Sequence, residues 1–203
     1  RDLPAAIGVG LSLGVLVVLS LVLLKVLFVA VVALALTLGL WELRRAMQTV
    51  GIEIPFLPVA GGGIIMLVGG YLGGMETAAV AMALTVIGLL VWRLGDGADG
   101  FVRDSTAGIF SLSYLYLMGV FVALMLVEDD GPGRVVAFIV ATVASDIGGY
   151  AAGVLLGKHP MAPTISPKKS WEGLGGSLVV GIGASVAMVT LVLDGPWWAG
   201  VVL

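Results

Sequence analysis

The polar loop at residues 158–172 holds the residue types most suited to chemistry. Ser166 followed by Pro167 predicts a helix start, because serine can cap free backbone N–H groups and proline at the first helical position loses no hydrogen bond. Lys168 and Lys169 would then lie in the first turn, where cations oppose the helix dipole unless an anion is bound. A phosphate group would fit, since free N–H groups and ammonium groups could bind it together.

Two serines and a glutamate complete this candidate phosphate site. Glu172 lies four residues after Lys168 and three after Lys169, where its charge would offset part of theirs. The candidate phosphate-binding residues are Ser166, Lys168, Lys169, Ser170 and Glu172. The residues alone leave a second interpretation open, in which the loop is a basic, topology-setting segment that touches anionic lipid headgroups.

Other catalytic arrangements are missing from the sequence. His159 is the only histidine, and a solitary histidine in an exposed loop is more often a surface residue than a catalytic base, so it receives no role. The absence of cysteine excludes disulfides, thiolate chemistry and cysteine metal sites. The sequence contains no complete Ser-His-Asp set, P-loop or histidine-rich metal site.

An aspartate lies about halfway along the apolar segment that precedes the loop. An ionisable group at mid-membrane costs a few kcal/mol, so Asp146 is predicted to face a polar cavity. Gly149, Tyr150 and Gly153 would share its helical face. With Gly157, these glycines would form a ridge on which another helix can pack closely. The alternative is that Asp146 only makes an interhelical hydrogen bond.

The elements that must position these residues are transmembrane helices. Hydrophobic residues make up 60% of the chain and charged residues only 11%, which is outside the balance of a soluble domain. The pattern predicts an all-α, polytopic integral membrane bundle of about seven complete transmembrane helices plus the start of an eighth. The predicted spans are 5–24, 26–43, 56–75, 77–92, 105–127, 135–157 and 173–193, with the eighth starting near residue 196. Glycines crowd the third span, which predicts an irregular helix or close packing.

The loops alternate in charge. Most basic residues follow the second, fourth and sixth spans, so these loops, including 158–172, are predicted to face the cytoplasm. Trp41 and Trp92 would lie at the membrane interface, without a chemical role. Acidic residues near the fourth span are expected to solvate their loop: Asp96, Asp99 and Asp104. The net charge of −3 does not suggest a nucleic-acid binder.

Three segments, 145–150, 157–159 and 162–173, resemble the central region of bacterial phosphatidate cytidylyltransferases, also called CDP-diacylglycerol synthases. Their order and spacing agree with that family, and the element Ser-Pro-x-Lys-(Thr/Ser)-x-Glu-Gly is specific to it. Two departures are mild: Gly149 stands where alanine is common, and Ser170 where threonine is usual.

The resemblance implies transfer of CMP from CTP to phosphatidic acid, which yields CDP-diacylglycerol and pyrophosphate. It implies Mg²⁺ as cofactor, with CTP, phosphatidic acid and membrane lipids as partners, at the cell inner (plasma) membrane. Lys169 and Asp146 are the candidate catalytic residues. Lys168 is a weaker phosphate contact, and Ser166 and Ser170 would donate hydrogen bonds. Glu172 would orient Lys169 or a metal-bound water.

The ends of the chain predict a fragment. The sequence opens at Arg1 without methionine and stops at Leu203 inside an apolar stretch. In the family, a second signature with metal-binding acidic residues follows the seventh span. We therefore expect a single transmembrane domain, 1–203, that lacks the carboxyl-terminal part of the catalytic region, and we identify no metal ligands in this chain.

Other functions stay open at this stage. A CTP-dependent polyprenol or dolichol kinase would share the membrane fold and the use of CTP. A membrane transporter could also use an intramembrane aspartate and glycine-rich helices, although no inverted repeat is evident. A catalytically inert scaffold would explain the glycines but not the cluster from Ser166 to Gly173. The glycine ridges would also permit a homodimer.

Overall fold

The computed structural model describes residues 3–202, which form eight α-helices, one π-helical segment and one short β-hairpin. The chain divides into two compact units, one ending at Asp129 and one starting at Asp130. The first contains α1 (Leu3–Leu23), α2 (Lys25–Gln48), α3 (Phe56–Leu94), α4 (Phe101–Ser111), the π segment (Leu112–Leu117) and α5 (Met118–Val127). The second contains α6 (Gly131–Leu156), β1 (Pro160–Ala162), β2 (Ser166–Ser170), α7 (Trp171–Leu191) and α8 (Trp197–Val202).

The helices follow the predicted spans. Among the described residues, five helical stretches are long and apolar enough to cross a membrane: Lys25–Gln48, Phe56–Leu94, Phe101–Val127, Gly131–Leu156 and Trp171–Leu191. Helix α1 covers the first predicted span, and α8 begins close to the expected eighth. The all-α membrane class is therefore confirmed, with a small hairpin added. The number of membrane crossings and the single domain stay predictions.

Helix α3 is two antiparallel helical segments that reverse direction at Gly74. In a straight helix rising about 1.5 Å per residue, Gly62 and Thr85 would be about 35 Å apart. Instead, a Cβ atom at Gly62 would overlap the Thr85 side chain, and one at Gly70 would lie 3.6 Å from Ala78 Cβ. Gly74 has φ 73° and ψ −169°. The reversal separates the third and fourth predicted spans.

Replacing Gly74 with alanine should lower the free energy of unfolding by about 1–3 kcal/mol, because this φ/ψ region is accessible essentially only to glycine. No atom lies within 4 Å of the added Cβ, so the cost would come from the backbone alone. Thermal unfolding of the purified protein in detergent measures it. Gly61→Ala, also in open space but without a positive φ, is the control and should change the melting temperature little. Equal melting temperatures for the two variants would contradict the reversal.

Close packing around glycine explains the composition of the third span. Tyr116, in the π segment, is fully buried, and a Cβ at Gly63 would overlap its ring. Its hydroxyl lies 3.0 Å from the Thr37 hydroxyl of α2. A Cβ at Gly70 would lie 2.8 Å from Val120. Of the two sequence expectations for this span, close packing is therefore confirmed.

The prediction for Asp104 was wrong. Its side chain is 2% exposed, and Arg93 Nη2 donates a 3.0 Å hydrogen bond to its carboxylate. Arg103 Nε donates at 2.9 Å and the Glu53 backbone N–H at 3.1 Å to the other carboxylate oxygen. Because three donors replace water, the carboxylate can be buried at the start of α4. Sequence position alone suggested a loop residue, because the local sequence does not show that Arg93, on another helix, is its partner.

Helices α6 and α7 form the main packed pair of the second unit. A Cβ at Gly148 would lie 2.6 Å from the Gly176 carbonyl oxygen, and one at Gly149 would lie 3.2 Å from Ser177 Cβ. A Cβ at Gly153 would be 3.7 Å from Gly173 Cα. The backbones therefore approach closely along the predicted ridge, as small residues allow in membrane helices.

Candidate active site

A groove of about 560 Å³ lies in the second unit, where the hairpin meets α6 and α7. Polar and charged side chains from all three contribute to its walls: Ser145, Asp146, Tyr150, Lys168, Lys169, Ser170 and Ser177. Three glycines, Gly149, Gly153 and Gly173, form the closely packed helix contact beneath. The volume is in the range of small-molecule sites.

The hairpin, and not a helix, carries the two lysines. Strand β2 pairs antiparallel with β1, with Pro160 opposite Ser170 and Ala162 opposite Ser166. Lys168 and Lys169 are exposed strand residues, so their predicted position in a first helical turn was wrong. Pairing with β1 satisfies the backbone here, which local sequence patterns do not reveal.

Helix α7 begins at Trp171, and its N-cap is Ser170 instead of Ser166. The Ser170 hydroxyl oxygen accepts a 3.1 Å hydrogen bond from the Gly173 N–H. The Trp171 N–H donates to the His159 carbonyl at 3.0 Å. Because these first N–H groups have internal partners, an anion here would be bound mainly by side chains. The predicted helix start at Ser166-Pro167, with free first-turn N–H groups for an anion, was wrong.

Glu172 fastens the start of the loop to the start of α7. One carboxylate oxygen accepts the backbone N–H groups of Lys158 at 3.2 Å and His159 at 3.3 Å. The other lies 2.6 Å from His159 Nδ1. The predicted helical pairing of Glu172 with Lys168 and Lys169 is absent among the described contacts, because the lysines are in a strand. His159 is 76% exposed, as expected for a surface residue, but it has this partner.

Replacing Glu172 with glutamine should reduce turnover by roughly tenfold or more, since a misplacement of about 1 Å can cost about 10²-fold in rate. Glutamine keeps the size but loses the charge that accepts three donors. His159→Ala is the matched control, because it leaves both backbone hydrogen bonds and should have a smaller effect. A steady-state assay of CTP turnover that determines kcat and KM separately checks this. Larger damage from His159→Ala than from Glu172→Gln would contradict the fastening role.

Asp146 lines the groove, as its helical face predicted. Its side chain is exposed, and it has no hydrogen-bond or ion-pair partner between residues 3 and 202. The interhelical hydrogen bond at this level joins the hydroxyls of Ser145 and Ser177, 2.6 Å apart. Asp146 is therefore free to face a ligand.

The groove brings together four of the predicted site residues: Asp146, Lys168, Lys169 and Ser170. Ser166 and Glu172 are not part of its walls. Sequence reasoning missed Ser177, although it lies one helical turn after Gly173 and so shares that face.

Comparison with known proteins identifies the family of the chain. The sequence model of the cytidylyltransferase family matches residues 4–203. The chain belongs to this family. It is 36% identical over 219 residues to the phosphatidate cytidylyltransferase of Mycobacterium leprae (strain TN), an alignment that covers 100% of this chain and 70% of the relative. It is 38% identical over 216 residues to that of Mycobacterium bovis (strain ATCC BAA-935 / AF2122/97), covering 100% and 71%.

The charges in the groove suit the phosphate chemistry of a cytidylyltransferase. Lys168 and Lys169 have no ion-pair partner in the described part of the chain. Two uncompensated lysines in the wall of one groove attract an anion. The Ser170 hydroxyl oxygen accepts from Gly173, which leaves its hydrogen available to donate.

The groove also offers one possible metal ligand. Over residues 3–202 no group of three His, Cys, Asp or Glu side chains could hold a metal ion. Mg²⁺, however, commonly uses one or two carboxylates together with substrate phosphates and water. Asp146, as the groove's carboxylate, fits one such position.

Proposed function

We propose that this protein transfers CMP from CTP to phosphatidic acid, giving CDP-diacylglycerol and pyrophosphate. The observation that carries the proposal is the groove in which two uncompensated lysines and a serine meet a free aspartate on packed membrane helices. Family membership and the phosphatidate cytidylyltransferase relatives support this reaction. It would serve phospholipid biosynthesis.

The reaction needs two anions to be aligned. A phosphate oxygen of phosphatidic acid attacks the α-phosphorus of CTP, and the bond from that phosphorus to the β-phosphate oxygen breaks. Negative charge then grows on the departing pyrophosphate. In the proposal, Lys169, assisted by Lys168, neutralises this charge and holds the phosphates in line, while the Ser170 O–H donates to a phosphate oxygen. Ser166 as a phosphate contact stays a prediction.

Mg²⁺ is the proposed cofactor, and Asp146 would supply one of its ligands. When bound, the ion would neutralise phosphate charge beyond what two ammonium groups provide. Asp146 would also keep the groove polar below the level of the lysines. The remaining ligands would come from substrate phosphates, water or other carboxylates.

The protein is a multi-pass membrane protein, and we infer that the groove opens to the cytoplasm at the inner membrane. The basic residues of the loop support this orientation through the positive-inside tendency. CTP is soluble and phosphatidic acid is membrane-bound, so a groove between the second half of α6 and the start of α7 gives both substrates access. A homodimer stays a prediction.

The decisive experiment supplies radiolabelled CTP, phosphatidic acid and Mg²⁺ to the purified intact protein in detergent. The expected products are a CDP-lipid and an equal amount of pyrophosphate. Release of CDP with phosphorylation of an added polyprenol would replace the proposal with the kinase. No consumption of CTP with either lipid would remove both reactions.

A further inference from the structure

A second groove, of about 610 Å³, lies in the first unit. It is formed where α2 and α3 end and where the segment before α3 passes them. The charged side chains in its walls are Arg44, Glu53, Arg93, Asp96 and Asp104, and Trp92 lies beside them. None of these residues has a role in the proposed cytidylyl transfer, and the two grooves share no residue.

Arg44 is the unexplained charge in this groove. Its guanidinium carbon lies 5.8 Å from the centroid of the Phe56 ring. Its Nε atom is buried and has no hydrogen-bond partner, and no carboxylate of the described chain forms an ion pair with it. The Arg44 guanidinium is therefore a partly buried cation without a counter-charge, and an anion in the groove would stabilise it.

The acidic residues of the groove differ in how fully they are compensated. Asp104 is buried between Arg93 and Arg103 and needs no further cation. Asp96 is 64% exposed, and its ion pair with Arg93 is a long one, with 3.8 Å between its Oδ2 atom and Arg93 Nη1. Glu53 is exposed, and its carboxylate accepts one hydrogen bond from the Gln48 amide. An unpaired guanidinium and two accessible carboxylates therefore share one groove.

The position of the groove indicates which ligand is at hand. Helices α2 and α3 end here, Trp92 is 54% exposed, and Arg45 stacks on Trp41 with 4.7 Å between guanidinium and ring centroid. Exposed tryptophan and arginine at helix ends are typical of the membrane interface. Lipid headgroups are the ligands present at that depth.

We propose that this groove binds the headgroup of a zwitterionic phospholipid that carries a primary ammonium group. The lipid phosphate accepts hydrogen bonds from the Arg44 guanidinium, and the ammonium donates to Glu53 and Asp96. This arrangement gives the unpaired guanidinium an anion and matches both signs of charge. An anionic headgroup offers no cation to the two carboxylates, and a quaternary ammonium cannot donate hydrogen bonds to them.

Lipid binding to the delipidated, purified protein tests this proposal. The lipid probes are dioleoyl phosphatidylethanolamine, phosphatidylglycerol and phosphatidylcholine, and inorganic phosphate serves as the free anion. Binding of each probe is measured by thermal unfolding and by native mass spectrometry. We expect phosphatidylethanolamine to raise the melting temperature most and to remain bound. Arg44→Gln should weaken its apparent affinity roughly tenfold or more, as expected for loss of charge-assisted hydrogen bonds.

Arg45→Gln is the matched control, since it removes the same charge from the neighbouring residue outside the groove and should retain lipid binding. Arg44→Lys serves if Arg44→Gln does not fold, and it too should bind the lipid more weakly because an ammonium cannot form the paired hydrogen bonds of a guanidinium with a phosphate. Glu53→Gln combined with Asp96→Asn should abolish the preference over phosphatidylglycerol. Three outcomes would overturn the proposal. They are equal stabilisation by all three lipids, an equal loss of lipid affinity in Arg44→Gln and Arg45→Gln, and a rise in melting temperature with inorganic phosphate that matches the rise with phosphatidylethanolamine.

Discussion

Lys169→Ala should reduce CMP transfer by about 10²–10³-fold, the usual cost of losing one positioned group that stabilises charge in the transition state. The lysine lines the groove without a carboxylate partner, so alanine removes charge from the site and leaves no acid unpaired. Most of the loss should appear in kcat, because the pyrophosphate charge grows as the bond breaks. Initial rates at varied CTP and phosphatidic acid concentrations measure it.

Lys158→Ala is the matched control for Lys169→Ala. Lys158 belongs to the same loop, but its side chain is not part of the groove wall, and its backbone N–H still donates to Glu172 after substitution. Its rate should stay within a few-fold of the unmodified protein. Full activity of Lys169→Ala, or equal loss in both variants, would refute the assigned role.

Gly148→Ala should destabilise the second unit by about 1–3 kcal/mol, the usual cost of overpacking. The added Cβ would lie 2.6 Å from the Gly176 carbonyl oxygen and 2.6 Å from Val180 Cβ. A backbone oxygen cannot move aside alone, so α6 and α7 must separate. The same shift would widen the groove, so activity should fall together with the melting temperature.

Gly183→Ala is the control for this effect. Gly183 lies on α7, and no atom comes within 4 Å of a Cβ added there. Its melting temperature in detergent should change little, since alanine is a better helix residue than glycine. If Gly148→Ala melted at the temperature of Gly183→Ala, the close contact between α6 and α7 would be wrong.

The membrane helices were predictable because their signal is local. Apolar stretches of sufficient length indicate α2 and α7 directly, and the separation of the third and fourth spans anticipated the reversal at Gly74. The inward face of Asp146 followed from helical periodicity alone. Small residues likewise predicted a close helix contact at Gly149 and Gly153, and the structure shows that the partner is α7.

The loop geometry was not predictable in the same way. Ser166-Pro167 was predicted to start the helix, but residues 166–170 pair with β1 as a strand, and α7 begins only at Trp171 with Ser170 as its N-cap. The contact between Glu172 and His159 likewise joins residues 13 apart across a hairpin. The burial of Asp104 depends on a donor from another helix. Each depends on a partner that local patterns do not specify.

The pair of unmatched ammonium groups at Lys168 and Lys169 has a thermodynamic consequence for nucleotide binding. A nucleotide that binds only the folded chain adds stability by mass action, about 2.7 kcal/mol at a hundredfold excess over Kd. Heating curves would then measure occupancy without turnover. CTP should protect more than CDP, and CDP more than CMP, so that the order of protection counts the phosphates that the folded protein holds.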